Sequence, residues 1–178
     1  KSIFSRNKTY IIVGGLGSVG FELIKYLVTN GAGTVVALSR NPKQNNYHKL
    51  ELKRMVEEYQ ANIVIKAVNV VDKEQVNKLY EEIDKELPPI GGLFHCAMVL
   101  RDNFIFKQTP ETMREVMESK VEGSINMVEP LLAAERIQHL ELIIMFSSVS
   151  SVFGATEQCN YAAANAFIDA YTTTAKLP

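Results

Sequence analysis

At 178 residues, 47% of them apolar and 22% charged, the chain is long enough to bury one core without metal or disulfide staples. Nineteen basic against twenty acidic side chains leave a formal charge of -1, which excludes the clustered Lys/Arg footprint of a nucleic-acid binder. No apolar run approaches the ~20 residues that cross a bilayer, Lys1-Ser2-Ile3 does not open a signal peptide, and Cys96 and Cys159 are too few for a disulfide framework or a metal pair, so a reducing, cytoplasmic setting is expected.

Short apolar runs alternate with amphipathic stretches along the chain, the pattern of a parallel α/β sheet. Tyr10 to Val13 predicts a buried strand, and Val19, Leu23, Ile24, Leu27 and Val28 then recur at helical spacing until Asn30-Gly31 stops the helix. Val35 to Leu38 predicts the second strand, Asn41 to Asn46 a polar loop, Leu50 to Tyr59 a charged helix and Ile63 to Ile65 a third strand. Asp72 and Gln75 read as a capping box for a helix whose apolar face is Val76, Leu79, Tyr80 and Ile83, ended by Pro88-Pro89. Gly92-Leu93-Phe94 begins a fourth strand. Thr109-Pro110 opens a long helix with Met113, Val116, Met117 and Val121 expected to face inward. Leu142 to Phe146 reads as a fifth strand buried on both faces, and a last helix runs from about Asn160 toward Thr174. The expectation is one doubly wound, Rossmann-like parallel sheet, residues 1–178 forming a single domain.

Between the first strand and first helix, Gly14-Gly15-Leu16-Gly17-Ser18-Val19-Gly20 contains G-x-G-x-x-G. Glycines there allow a tight turn and let a pyrophosphate meet bare backbone at a helix N-terminus. The string alone also occurs in merely structural turns; its strand-turn-helix context favours dinucleotide binding. At the end of the second strand, where an acid would take a ribose 2'-hydroxyl, the chain has Ser39-Arg40, suited to a 2'-phosphate and hence to NADP(H), although a solvated arginine is the plain alternative. Asn69-Val70 could hydrogen-bond adenine or form a surface turn.

Reduction of a ketone leaves an oxyanion that needs an acid nearby. Tyrosine serves if a cation assists it, and a serine hydroxyl can hold the same oxygen. Ser148 follows the fifth strand, at the strand end where open α/β sheets bind ligands, and Tyr161 opens the last helix in a run of alanines. His95 reads as a packed strand-end residue, His48 and His139 as surface residues and Cys159 as a small packing residue, and no spacing suits a metal.

From about Thr9 to Ala170 the sequence resembles the short-chain dehydrogenases/reductases, and more narrowly the β-ketoacyl reductase domain of type I fatty acid and polyketide synthases. The residues that carry the resemblance are Gly14-Gly15-Leu16-Gly17, Leu38-Ser39-Arg40, Val99-Leu100-Arg101-Asp102, Lys120-Val121-Glu122-Gly123, Phe146-Ser147-Ser148 and Asn160 to Asn165, with Ala97 to Asp102 looking closer to animal-type fatty acid synthases than to bacterial modular synthases. The resemblance implies that Tyr161 is the acid and that Ser148 orients the carbonyl. Asn165 stands where ordinary superfamily members carry the catalytic lysine, and the synthase-type exchange assigns that lysine to Lys120. Without the family, Lys120 reads as an exposed helix residue. The resemblance also places NADPH against Gly14, Gly15, Leu16, Gly17, Val19, Gly20, Ser39, Arg40, Asn69, Val70, Ala97, Met98, Lys120 and Tyr161. Leu100-Arg101-Asp102, with Phe153 where the opposite class has tryptophan, implies a (3R)-hydroxyacyl product governed at Asp102. Val13, Asn69 and Met98 depart from the family's common threonine, aspartate and glycine.

The implied partners are an acyl carrier protein bearing a 3-oxoacyl thioester and the neighbouring domains of a multidomain, homodimeric synthase. A non-catalytic cofactor-binding domain and a free-standing reductase of small ketones are the rival readings. Because such a sheet should continue past the tyrosine helix, the chain, ending at Leu177-Pro178, is expected to be a C-terminally truncated piece of a larger polypeptide.

Overall fold

The computed structural model describes residues 2–174; Lys1, and Leu177-Pro178 at the expected truncation, lie outside the described residues. In chain order the elements are β1 Thr9–Val13, α1 Ser18–Thr29, β2 Thr34–Ser39, α2 Asn46–Tyr59, β3 Asn62–Ala67, α3 Lys73–Glu86, β4 Ile90–His95, a 3-10 turn Ile105–Lys107, α4 Pro110–Val128, a 3-10 turn Glu129–Leu132, α5 Ala134–Ile137, β5 Leu142–Met145, α6 Ser150–Phe153 and α7 Cys159–Thr174. The strands form one parallel sheet in the order β3-β2-β1-β4-β5.

Alternate residues of each central strand serve opposite layers, as the pleat demands. Ile11 and Val13 of β1 with Val36 and Leu38 of β2 meet Val76, Leu79 and Ile83 of α3 and Met127 of α4. Tyr10 and Ile12 with Val35 and Ala37 meet Phe21, Ile24 and Leu27 of α1 and Leu52 and Met55 of α2. Helices on both faces explain why β1 and β2 read as unbroken apolar runs. The parallel, doubly wound, Rossmann-like sheet is the architecture expected from the sequence.

Four details differ from the sequence reading. The first is α2, which starts at Asn46 rather than near Leu50 because the Asn45 side chain accepts from His48 N and caps it. His48 and His139 are half-buried rather than surface residues, the His48 ring stacked on Phe21 at 4.2 Å. On α4 only Val116 of the four expected apolar residues is buried. The buried face is instead Val116, Ser119, Lys120, Gly123, Ser124 and Met127. Close approach is the reason: a Cβ at Gly123 would lie 2.9 Å from Val70 Cγ2. Finally, β5 is not buried on both faces: Ile144 is 42% exposed, because among the described residues β5 is an edge strand paired only to β4.

Candidate active site

After β1 the chain winds out to β2 and β3, then returns to β4 on the other side of β1. The connections leaving β1 and β4 therefore diverge and open a crevice at the C-terminal strand ends. A cavity of about 390 Å3 lies there. It is lined by Gly14, Gly17, Ser18, Val19 and Gly20 from the first turn, Ser39 and Arg40 after β2, Asn69 and Val70 after β3, and Cys96, Ala97 and Met98 after β4.

The glycines of the turn have different causes. Gly14 adopts φ +81°, and a Cβ there would press on Ala97 N at 2.9 Å. A Cβ at Gly20 would overlap Gly14 O, and one at Gly15 would lie 2.7 Å from Ala37 Cβ, so Gly15 packs on β2 rather than facing the cavity. Leu16 is half-buried. Gly17 is the exception: its nearest neighbour to an added Cβ is Gly14 O at 3.3 Å, and its backbone is at φ -75°. A methyl group there would meet Gly14 O more tightly than an ordinary contact but without the overlap found at Gly20, and it would project at the mouth of the helix N-terminus.

That N-terminus has no side-chain cap and no acid in its first turn, whereas Asn45, Asp72 and Thr109 cap α2, α3 and α4. Its orphan N–H groups and positive dipole end suit a phosphate. The cavity, the bare Gly17 and the uncapped helix fit a dinucleotide.

At the far end of the crevice, Arg40 is exposed, while the Ser39 hydroxyl donates to Asn41 O at 3.0 Å. Arg40 also lines an adjoining cavity of about 120 Å3 with Arg101, whose guanidinium pairs with Glu115 at 2.5 Å. Asn69 is held in a turn: its N–H donates to Gln75 Oε1 at 2.9 Å.

A second cluster adjoins the cavity through Met98. The Tyr161 hydroxyl, from the first turn of α7, lies 3.6 Å from Met98 Sδ. Lys120 is 3% exposed; its Nζ donates to Phe146 O at 2.6 Å and lies 5.7 Å from the centre of the Tyr161 ring. Burial pulls the Lys120 pKa down to about 8 from its ordinary 10.5, with Asp169 partly opposing the fall. The side chain is thus far from the exposed helix residue that α4's pattern suggests without the resemblance.

Asn165 is fully buried; its Nδ2 donates to Tyr161 O at 2.8 Å, and its Oδ1 has no partner among the described residues. Ser148 Oγ accepts from Ser150 N at 3.2 Å and from Ser150 Oγ at 3.0 Å, and α6 packs against α7. Asp102 stands apart, exposed, its Oδ2 accepting from Gln158 Nε2 at 2.9 Å.

Other titratable groups nearby are kept neutral. His95 is 1% exposed, and burial first, then the Lys120 charge, lowers its pKa to about 4. Cys96 hydrogen-bonds Val13 O at 3.0 Å, and burial pushes its thiol up to about 11. Among the described residues no group of three or more His, Cys, Asp or Glu could hold a metal, and no helix is long and apolar enough to cross a membrane. One buried side chain at the site carries no signal in the sequence beyond its place before Tyr161: Asn160, fully buried between α7 and the loop after β4.

The profile of the KR domain family matches residues 8–176. The chain is 40% identical over 162 residues to the hybrid PKS-NRPS synthetase poxE of Penicillium oxalicum, covering 91% of this chain and 4% of that protein. It is 34% identical over 167 residues to the stereoselective keto-reductase af490 of Aspergillus fumigatus, covering 94% of this chain and 16% of that protein. Among solved structures, a ketoreductase domain from the bacillaene assembly line superposes with a TM-score of 0.85 at 30% identity, covering 95% of this chain and 39% of that one. An N-terminal ketoreductase from the macrolactin assembly line superposes with a TM-score of 0.86 at 25% identity, covering 99% and 35%.

Proposed function

The chain belongs to the KR domain family, and on that premise we propose that it is a ketoreductase unit of a polyketide synthase, an oxidoreductase of the short-chain dehydrogenase/reductase type. It reduces a 3-oxoacyl thioester, presented on an acyl carrier protein, to the (3R)-hydroxyacyl thioester with NADPH. Residues 1–178 belong to one catalytic domain of a multidomain, homodimeric synthase. The named relatives are hybrid PKS-NRPS synthetases and a stereoselective keto-reductase, which favours a polyketide over a fatty acid product.

The observation that carries this reading is the buried Lys120, set between Phe146 O and the Tyr161 ring, with the tyrosine hydroxyl against Met98 in the wall of the cavity. Bound there, NADPH supplies the hydride that the carbonyl carbon gains. The Tyr161 hydroxyl gives its proton to the carbonyl oxygen, completing the alcohol. Ser148 accepts from Ser150 twice, which leaves its own O–H free to donate to that oxygen. Lys120 spends one N–H on Phe146 O; the remaining two stabilise the phenolate that Tyr161 leaves and hold the nicotinamide ribose. Asn165 fixes α7 through Tyr161 O, and its free Oδ1 is an acceptor for a proton relay that restores the lysine and tyrosine.

The first expected outcome is NADPH oxidation, followed at the nicotinamide absorbance band, with a 3-oxoacyl thioester mimic. Tyr161→Phe lowers kcat by ~100-fold or more while NADPH still binds. A Tyr161→Phe protein as active as the parent overturns the role of the tyrosine, and mainly (3S) product on chiral analysis overturns the stereochemistry.

A further inference from the structure

Each hydrogen bond of the Asn160 side chain reaches out of that residue to a different part of the site. Its Oδ1 accepts from Tyr161 N at 2.7 Å; its Nδ2 donates to Arg101 O at 3.0 Å and to Gln108 Oε1 at 3.2 Å. Gln108 in turn donates Nε2 to Arg101 O at 2.9 Å and to Asn103 O at 3.1 Å. The loop 101–108 is thus closed on itself by one amide and hung from α7 by another. Beyond the half-exposed ion pair of Arg101 with Glu115 on α4, the rest of the loop has little to hold it: Phe104, Ile105 and Phe106 are all exposed. Its remaining ties to the segment before α7, Asn103 N to Glu157 O and half-buried Gln158 Nε2 to exposed Asp102, lie near the surface where water competes for them. Upstream, the same connection contains Met98, in contact with the Tyr161 hydroxyl.

We propose that Asn160 is a positioning residue that holds the loop 101–108 at a fixed distance from Tyr161, so that a carbonyl entering between them meets the hydroxyl in one orientation. The proposal rests on the reading of Tyr161 as the acid. An amide is required because one end must accept and the other must donate to two acceptors at once. Asn160→Asp keeps the bond from Tyr161 N but turns a buried oxygen toward Arg101 O and Gln108 Oε1, with no proton to share.

The test uses the full-length protein that contains this chain. Asn160→Ser and Asn160→Asp lower kcat by ~10- to 100-fold, the scale of a small misplacement at a reacting centre. They leave the NADPH dissociation constant within about twofold, since the affected bonds end on loop backbone and on Gln108, and they make the product less enantiomerically pure. Gln108→Leu removes Asn160's bond to Gln108 and the closure of the loop on Arg101 O and Asn103 O, so it lowers kcat and product purity in the same direction, and the double variant Asn160→Ser/Gln108→Leu loses less than the sum of the two. Wild-type kcat and product ratio in Asn160→Ser, or additive losses in the double variant, overturn the proposal. If Asn160→Ser does not fold, Gln108→Leu with unchanged kcat and product ratio overturns it. A fully active Tyr161→Phe control marks failure of the acid assignment, separately from Asn160.

Discussion

The turn between β1 and α1 and the cluster around Lys120 border one crevice, yet they are held by opposite means. In the turn, backbone binds backbone: Gly14 N and Gly15 N both donate to Leu38 O at 3.0 Å, and Gly17 N donates to Gly14 O at 3.0 Å. Every constraint there concerns the room left for a Cβ. In the cluster, side chains from α4, α7 and the segment after β5 converge through single bonds such as Lys120 Nζ to Phe146 O. Where backbone fills the space, as at Gly14, Gly15 and Gly20, an added atom must displace the turn or the sheet; Gly17, at the rim, is the exception. A region made of side chains accepts replacement and loses chemistry instead.

The largest effect that sharpens this contrast is expected at Lys120. Lys120→Met lowers kcat by ~1000-fold, within the range for loss of acid-base assistance, and yet raises the melting temperature, because it removes a charge that burial disfavours. The sign follows from the pKa, lowered to about 8 in the folded chain against 10.5 ordinarily. Between those values the unfolded chain binds more protons than the folded one, so the parent gains stability as pH rises from about 8 to 10.5. The gap in melting temperature between variant and parent is therefore widest below pH 8 and closes toward pH 10.5. In the parent, kcat/KM for the free enzyme falls above about pH 8 as Lys120 loses its charge. A melting-temperature gap that does not change with pH would show that the lysine is not buried as a cation.

The turn gives the reverse result. Gly20→Ala drives a Cβ into Gly14 O and costs ~2–3 kcal/mol of stability, read as a fall in melting temperature. Gly17→Ala lowers that temperature much less, since its Cβ meets only Gly14 O, at 3.3 Å, and a shift of a few tenths of an ångström relieves the contact. It weakens NADPH binding by about tenfold by intruding where the phosphate meets the helix. Equal losses of stability in the two variants would erase the distinction between a glycine the fold needs and one a ligand needs.

The same contrast explains what the sequence discloses. The glycine turn is legible because its causes are local: a strand, a helix start and the residues between them. Lys120 is not, because α4's apolar spacing points to Met113, Met117 and Val121, while close approach to Val70 and α7 selects Ser119, Lys120, Gly123 and Ser124 for the buried face. Only its place in Lys-Val-Glu-Gly, through the family resemblance, brings it to notice. Leu142 to Met145 is apolar enough for burial on both faces, but an apolar run does not say which edge of the sheet is covered, and Ile144 is open. Asn160 stands in the Asn160 to Asn165 motif, but nothing in that motif tells what its side chain holds, since its partners Arg101 and Gln108 lie more than fifty residues away.

The smallest expected effect tests where the backbone-built region ends. Arg40 lies just beyond β2, exposed, and borders both cavities. Ser39 cannot donate to a 2'-phosphate while its hydroxyl is given to Asn41 O, and Arg101 is engaged by Glu115. Arg40 is thus the guanidinium on which the proposed preference for NADPH over NADH would rest. Being solvated, it contributes modestly: Arg40→Ala reduces the ratio of kcat/KM for NADPH over NADH by about threefold, leaves NADH turnover unchanged, and shifts less at high salt because the parent's preference is already screened. A ratio that stays constant in Arg40→Ala would move the 2'-phosphate away from β2, and with it the end of the cavity at which the nucleotide is read.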